Sequence, residues 1–446
     1  MKKAALDFVA GGGLIERRSF LRSGLGFTVA SMMGALPVAH AGAATPGVAA
    51  QPSSRPVTPL DHPIGAQLPA WMKTAGGADV AYGMPSPHEK LVVRKAKEDA
   101  PQNAGFAVWH TPIETQRGIV TPSGLHFSVH HNGIPDIDPQ RHQLIIHGLV
   151  ERPLRFDMER LLRYPMISNI QFLECSGNTA ANAMSPFARD DSCQDLFGQV
   201  SCAEWTGIPL STLLREAGVK SSAKWVIAEG ADGGSHTRSL PLSKLMDDAI
   251  IAIYQNGERL RASQGYPMRL FVPGWEGNVN VKWLHRLEVT DGPAHTKDES
   301  GLYSEVLSNG DIERFTFHMD VKSVITHPSG NQVLPEAKGF YEISGLAWSG
   351  YGKIRKVEVS ADNGKTWAGA RLHGPVLDKA LTRFSIPWRW DGSSTTLLSR
   401  ATDEHGRTQL NRNQWKRKYA MHSFNHYNAV QAWKINRNGK VENTYA

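Results

Sequence analysis

The chain has 446 residues, 41% hydrophobic and 20% charged, with a formal net charge of +7. That balance excludes intrinsic disorder and leaves length for two packed domains. Of the charge, +3 belongs to the first 41 residues (Lys2, Lys3, Arg17, Arg18 and Arg22 against Asp7 and Glu16), so the remainder is only +4. No arginine-rich run with interleaved aromatics occurs, which argues against a nucleic-acid groove; an acidic protein partner accounts equally well for the excess.

In chain order, Glu16-Arg17-Arg18-Ser19-Phe20-Leu21-Arg22 precedes a moderately apolar stretch from Gly24 to Val38. Ala39-His40-Ala41 then offers the small residues that signal peptidase accepts. The paired arginines resemble a twin-arginine signal, the route that exports proteins already folded, so residues 1–41 are expected to be a signal peptide directing the protein to the periplasm. The apolar stretch is short and diluted by Ser, Thr and Gly, so no membrane span is expected in the mature protein. Residues 42–105, rich in Ala, Pro, Gly and Ser, read as a linker arm lying extended over the surface.

Strand-like runs follow at His142–His147, Ile167–Leu173, Lys224–Ala228, Met268–Val272 and Val279–Val289. A short helix is predicted over Pro209–Ala217, stopped by Gly218, and Asn256-Gly257 signals a hairpin. Together these predict an α+β domain over 106–312. From about Phe317 the pattern changes to short alternating runs (Phe340–Trp348, Ile354–Ser360, Thr366–Leu372, Thr382–Trp388, Thr396–Ala401) divided by turn clusters such as Asp362-Asn363-Gly364. That spacing predicts an all-β immunoglobulin-like sandwich over 313–446.

Three cysteines, Cys175, Cys193 and Cys202, are too few for a disulfide framework, and whether two of them bridge stays open. No C-x-x-C or C-x-x-C-H occurs, so no zinc knuckle, cluster or c-type haem is expected on this chain. Phe172-Leu173-Glu174-Cys175-Ser176-Gly177-Asn178 sets a cysteine just past a strand, before small turn-forming residues. A thiolate exposed there serves as a nucleophile or a soft metal ligand. Taken alone, the stretch fits a half-buried structural cysteine as well.

The surrounding motifs narrow the choice. Cys175-Ser176-Gly177-Asn178 is similar to the C-A-G-N strand end of the sulfite oxidase family of molybdenum-pterin enzymes. Glu204-Trp205-Thr206-Gly207-Ile208-Pro209-Leu210 resembles its W-x-G-x-x-L helix entry, and Glu229-Gly230-Ala231-Asp232 its E-G-x-D turn. Tyr266-Pro267-Met268-Arg269, Val272-Pro273-Gly274 and Val281-Lys282-Trp283-Leu284 follow its F-P-x-R…V-P-G…V-K-W-L block. Val359 to Trp367 resembles the V-S-x-D-G-G-x-x-W signature of its dimerisation domain. The resemblance covers roughly Phe106 to the C-terminus. It implies a molybdenum-molybdopterin cofactor with Cys175 as the one protein ligand of the metal. Arg269 and Lys282 would meet the pterin phosphate, a planar fork and a point charge on an anion. His131 and Asp232 would contact the pterin, and Tyr303 would be the active-site hydroxyl donor. Outside that resemblance Arg269 reads equally as half of a salt bridge and Tyr303 as a core tyrosine. His130 and His131 have no further ligand at zinc spacing.

The sequence also departs from the family. In Phe127-Ser128-Val129-His130-His131, Val129 stands where the F-V-R-N-H motif has its sulfite-binding arginine. Thr179-Ala180 follow Asn178 where sulfite oxidases place another arginine, and Gln264 replaces a histidine. Losing two cations weakens capture of a small dianion and suits a less charged sulfur. Thr121 to Phe127 and Gly133 to Asp138 resemble the sulfane dehydrogenase branch, the catalytic subunits of the bacterial thiosulfate-oxidising (Sox) system. That branch implies sulfane sulfur on a carrier protein as substrate, a separate c-type cytochrome subunit as electron acceptor, and a homodimer or a heterotetramer with the cytochrome. The alternatives are a periplasmic sulfite:cytochrome c oxidoreductase, disfavoured by Val129, and a methionine-sulfoxide reductase of the family, which lacks the sandwich. A secreted non-enzymatic binding protein would leave Cys175, Arg269 and Lys282 without a purpose.

Overall fold

Two five-stranded sheets, with a smaller three-stranded one, build the first half of the described chain. In this computed structural model, which describes residues 7–16, 72, 81–97, 105–335, 338–420 and 423–445, one sheet runs in the order Leu154–Asp157, Gln143–Gly148, Leu284–Thr290, Trp225–Gly230, Thr237–Pro241. Its only parallel pair is Gln143–Gly148 with Leu284–Thr290. The other sheet runs Glu258–Arg259, Ile250–Gln255, Val200–Pro209, Ile167–Glu174, with Arg269–Phe271 also paired to Ile250–Gln255. Ile250, Ile251, Ala252 and Ile253 are all buried, as an unbroken apolar run in a central strand should be.

Between the sheets lies the helix Leu210–Ala217. Pro209 stands at its N-cap and Gly218 closes it at φ +71°. Leu210, Leu213, Leu214 and Ala217 recur on one buried face and pack with Leu144, Val226 and Leu287. Asn256 and Gly257 turn the hairpin with φ of +50° and +79°, as a type I′ turn requires.

The second half is a β-sandwich. One sheet orders Lys322–His327, Gly339–Trp348, Thr382–Trp390, Arg371–Leu372; the other orders Ala368–Gly369, Ile354–Ser360, Thr395–Asp403, Ala432–Ile435, Val441–Thr444. The run read as one strand over Thr366–Leu372 divides, because the chain crosses there from one sheet to the other. The halves share a core: Phe172, Leu196, Phe197 and Cys202 of the first pack in one cluster with Trp348, Trp388, Val357 and Trp433 of the second.

Other expectations need correction. The strand expected over Val279–Val289 begins only at Leu284. Before it, the Asn280 side chain accepts from Val272 N–H (2.7 Å) and donates to Glu276 O (2.9 Å), and Trp283 has φ +53°. Local side-chain bonds have replaced the ladder. A helix at Arg412–Lys418, capped reciprocally by Asn411 and Gln414, interrupts the sandwich where none was expected. Lys95–Ala96, inside the expected linker arm, pairs as a strand with Ala107–His110. Cys175, Cys193 and Cys202 are all free thiols. The arginine pair, the apolar stretch and the small-residue site at 39–41 lie outside the described residues, as does most of the expected linker. Among the described residues no helix is long and apolar enough to cross a membrane.

Candidate active site

Cys175 leaves the sheet at the end of Ile167–Glu174, its N–H donating to Gln199 O (3.0 Å). The loop turns sharply: Asn178 N–H returns to Cys175 O (3.0 Å), and Thr179 adopts φ +71°. Beneath it, fully buried Glu174 accepts from Lys322 Nζ (2.6 Å), Trp348 Nε1 (2.7 Å) and Asn178 Nδ2 (2.9 Å). From the C-terminal half, Ser176 Oγ meets Asn425 Oδ1 (2.8 Å), His426 N–H donates to Ser176 O (2.8 Å), and Thr179 Oγ donates to Tyr427 O (2.8 Å). Gly277 packs so closely that a Cβ there would stand 2.9 Å from Glu174 O and 3.3 Å from the Cys175 Cα. The cysteine backbone is thus fixed by both halves of the chain.

Around this loop lies a cleft open to solvent, and all six residues singled out from the sequence line it: His131, Cys175, Asp232, Arg269, Lys282 and Tyr303. Arg269 is buried and stacks over Trp205 at 5.2 Å. Its Nη1 donates to Gln264 O (3.2 Å) and Nη2 to Asn280 O (2.8 Å), while Nε has no partner. Lys282 Nζ donates to Val129 O (2.8 Å) and faces His130 Nδ1 (2.8 Å). Burial lowers the Arg269 guanidinium to about 9; burial, then the charge of Arg269, lowers Lys282 well below the ordinary ammonium range. No salt bridge reaches either cation among the described residues. Buried Arg269 and half-buried Lys282, bonded to carbonyls and in no ion pair with Asp232 of the same cleft, form a cradle that fits a phosphate.

Tyr303 follows the helix Lys297–Gly301. Its ring lies against the Arg238 guanidinium (4.6 Å), which is fully buried between Glu276 and Glu299. Its hydroxyl is 3.4 Å from His131 Nε2. Burial, then the neighbouring Cys175, raises the phenol far above its ordinary value, so it stays a donor. Burial lowers His131, which leaves it neutral at pH 7 and able to accept. Burial also pushes the Cys175 thiol up to about 11. Among the described residues no cluster of three or more His, Cys, Asp or Glu is arranged to hold a metal. A metal at Cys175 would therefore take its other donors from a cofactor, which agrees with a dithiolene pterin anchored by phosphate.

The sequence reading missed His236 and Asn278. His236 N–H donates to Asp232 Oδ1 (2.8 Å), its Nδ1 lies 3.3 Å from Asp298 Oδ2, and its Nε2 meets Asn278 O (2.9 Å). Its ring stacks on that of His131, with centroids 6.2 Å apart. The available signal was its position four residues after Asp232. Asn278 belongs to no motif, and only the tertiary fold brings it to the cleft.

Comparison with known proteins matches residues 131–297 to the oxidoreductase molybdopterin binding domain and 313–432 to the Mo-co oxidoreductase dimerisation domain. The crystal structure of the sulfane dehydrogenase SoxCD from Paracoccus pantotrophus superimposes with a TM-score of 0.84 at 41% identity, covering 87% of this chain and 100% of that one. NADH nitrate reductases from Ulva prolifera (30% identical over 334 residues, 66% of this chain) and Arabidopsis thaliana (32% over 351 residues, 68% of this chain) are also similar. The match spans 38% and 37% of those two reductases.

Proposed function

Because this chain belongs to the sulfite oxidase family of molybdopterin oxidoreductases, we propose that it is an exported sulfane dehydrogenase subunit. It would oxidise sulfane sulfur presented on a carrier protein and pass the electrons to a c-type cytochrome. A molybdenum-pterin, when bound, supplies two-electron oxygen-atom transfer. Cys175 would hold the metal, Arg269 and Lys282 the phosphate, and His131 and Asp232 the pterin. A thiol raised to about 11 loses its proton at neutral pH only to a strong Lewis acid, so metal uptake and deprotonation are coupled. The chain's own part is then orientation: Tyr303 keeps its proton and directs it beside Cys175, while neutral His131 and the Asp232–His236–Asp298 set fix the cleft wall.

The observation that carries the substrate reading is Val129. The wall near Cys175 is formed by Phe127, Val129 and Leu173, and among the described residues the only Lys or Arg side chains lining the cleft are the two fitted to a phosphate. A free dianion finds no third cation in that lining, Lys97 acting on Cys175 only from outside it, whereas sulfur on a carrier arm needs none. The similarity to SoxCD supports the same reading. Steady-state turnover of free sulfite should be compared with that of a sulfane on a carrier cysteine, using cytochrome c as acceptor. The carrier-bound substrate should be favoured in kcat/KM by roughly 100-fold. The reverse preference would make the protein a sulfite:cytochrome c oxidoreductase.

A further inference from the structure

The hairpin that follows Tyr303 is turned inside out. Ser304–Val306 pairs with Ile312–Arg314, and Val306 stands directly opposite Ile312, both exposed on the outer face. The opposed glutamates Glu305 and Glu313 take the inner face, with Glu305 only 1% exposed. A ribbon packed on a core ordinarily does the reverse, apolar side in. Leu302 and Phe424 extend the apolar face. Asn425 Nδ2 donates to Leu302 O (3.3 Å) and Ser423 Oγ to Val306 O (2.9 Å), which brings Phe424 beside both. These four apolar side chains are 37–66% exposed. The face also reaches the reactive cleft: Asn425 Oδ1 lies 2.8 Å from the Oγ of Ser176, next to Cys175, and Leu302 borders a recess that shares His131 and His236 with the cleft. Apolar residues scattered over a surface are ordinary, but a joined set beside a reactive cleft marks an interaction site. Its rim is basic. Arg314, Lys416, Arg417 and Lys418 are exposed, against exposed Asp311 and half-buried Glu313. Ser308 ties the hairpin to that end of the helix, its N–H donating to Lys418 O (3.1 Å) and its Oγ to Arg417 O (2.6 Å).

We propose that this apolar face and its basic rim are the docking surface for the body of the sulfur-carrier protein, which meets them with an apolar face edged by acidic side chains. The inference deepens the dehydrogenase reading above and rests on it. Sulfur borne on a protein has to reach a metal held by Cys175, yet a folded carrier is too large to enter the cleft. Its body must therefore rest on the mouth while only the arm goes in. The face lies where that requires, joined to Ser176 through Asn425 and flanking Tyr303 on both sides in the chain. An electron acceptor has no arm to insert, so nothing demands that it sit here. The apolar centre supplies the holding contact, and the basic rim steers an acidic partner and sets its orientation.

Steady-state oxidation by the molybdenum-loaded protein, with cytochrome c as acceptor, tests this on two substrates. One is the organism's carrier protein loaded with sulfane on its cysteine; the other is glutathione persulfide, which needs no docking. Val306→Asp/Ile312→Asp should raise KM for the loaded carrier at least tenfold and leave kcat and the turnover of glutathione persulfide unchanged. Arg314→Gln/Arg417→Gln, which keeps the apolar face intact and guards against misfolding of the first variant, should raise the same KM several-fold and flatten its dependence on salt. An unchanged carrier KM in both variants would overturn the docking surface and leave the dehydrogenase reading standing. So would a shift confined to the KM for cytochrome c, which would give the face to the acceptor, or a change in oligomeric mass alone, which would give it to a second copy. Wild type inert to the loaded carrier would overturn the carrier reading and the docking surface with it.

Discussion

Lys282 is a half-buried cation that forms no ion pair among the described residues, and its energetics follow from that. Without a phosphate in the cleft, keeping it charged costs stability, because burial and Arg269 oppose the proton more than Asp232 favours it. In cofactor-free protein, Lys282→Met should therefore stabilise the fold by about 1–3 kcal/mol at pH 7. The folded-state value is depressed, so the unfolded chain binds the extra proton, and the gap should close as pH rises toward the ordinary lysine range. In loaded protein the same change should instead release cofactor. Denaturant titration of both forms checks the reversal of sign; a destabilised cofactor-free variant would mean that the ammonium is held by its carbonyl bonds alone. Much of the site was legible at this scale, because Cys175, Arg269 and Lys282 stand in motifs whose residue types match their chemistry. Asn278 was not, since nothing local marks a residue that only the tertiary fold brings to the cleft, and His236 was signalled only by its place four residues after Asp232.

The loop bearing Cys175 is clamped by the segment Asn425–Tyr427, and the clamp has a pH signature. Burial disfavours the His426 imidazolium, but Glu276, hydrogen-bonded at 3.2 Å, outweighs it and holds the pKa above the ordinary histidine value. A raised folded-state value contributes stability that is fully present below about 6.5 and is lost as pH climbs through the folded value. His426→Gln should thus cost about 1–3 kcal/mol at pH 6 and less at pH 9, read from thermal or denaturant midpoints. An equal loss at both pH values would show that the imidazole serves as packing only. Strand and hairpin positions were legible from periodicity and from Asn256-Gly257. The Asn280–Trp283 loop was not, because side-chain bonds by Asn280 override an apolar pattern that reads as strand. Nor was Arg412–Lys418, a helix of seven residues held by its cap and by buried Trp415 rather than by a long amphipathic stripe.

The whole molecule is tied together beneath the cysteine. Glu174 belongs to the cofactor-binding half and Lys322 to the sandwich, and their ion pair is essentially without solvent. Lys322→Met should cost about 3–5 kcal/mol by leaving a buried carboxylate uncompensated, and adding Glu174→Gln should recover part of it. With one core shared between the halves, calorimetry should show a single transition for both; two separate transitions would contradict that coupling. The division into an α+β half and a sandwich was readable from the change of period near residue 317. The shared core was not, since it joins residues more than 100 positions apart that no local pattern connects.

Metal analysis tests the central assignment most directly. Molybdenum and pterin should be measured on protein purified from a host that makes the cofactor, wild type beside Cys175→Ser and Arg269→Gln. Wild type should carry close to one molybdenum and one pterin per chain. Cys175→Ser should keep pterin while losing sulfur-oxidising turnover, and Arg269→Gln should lose both metal and pterin. A folded wild-type protein with neither, or a Cys175→Ser variant with undiminished turnover, would contradict the assignment.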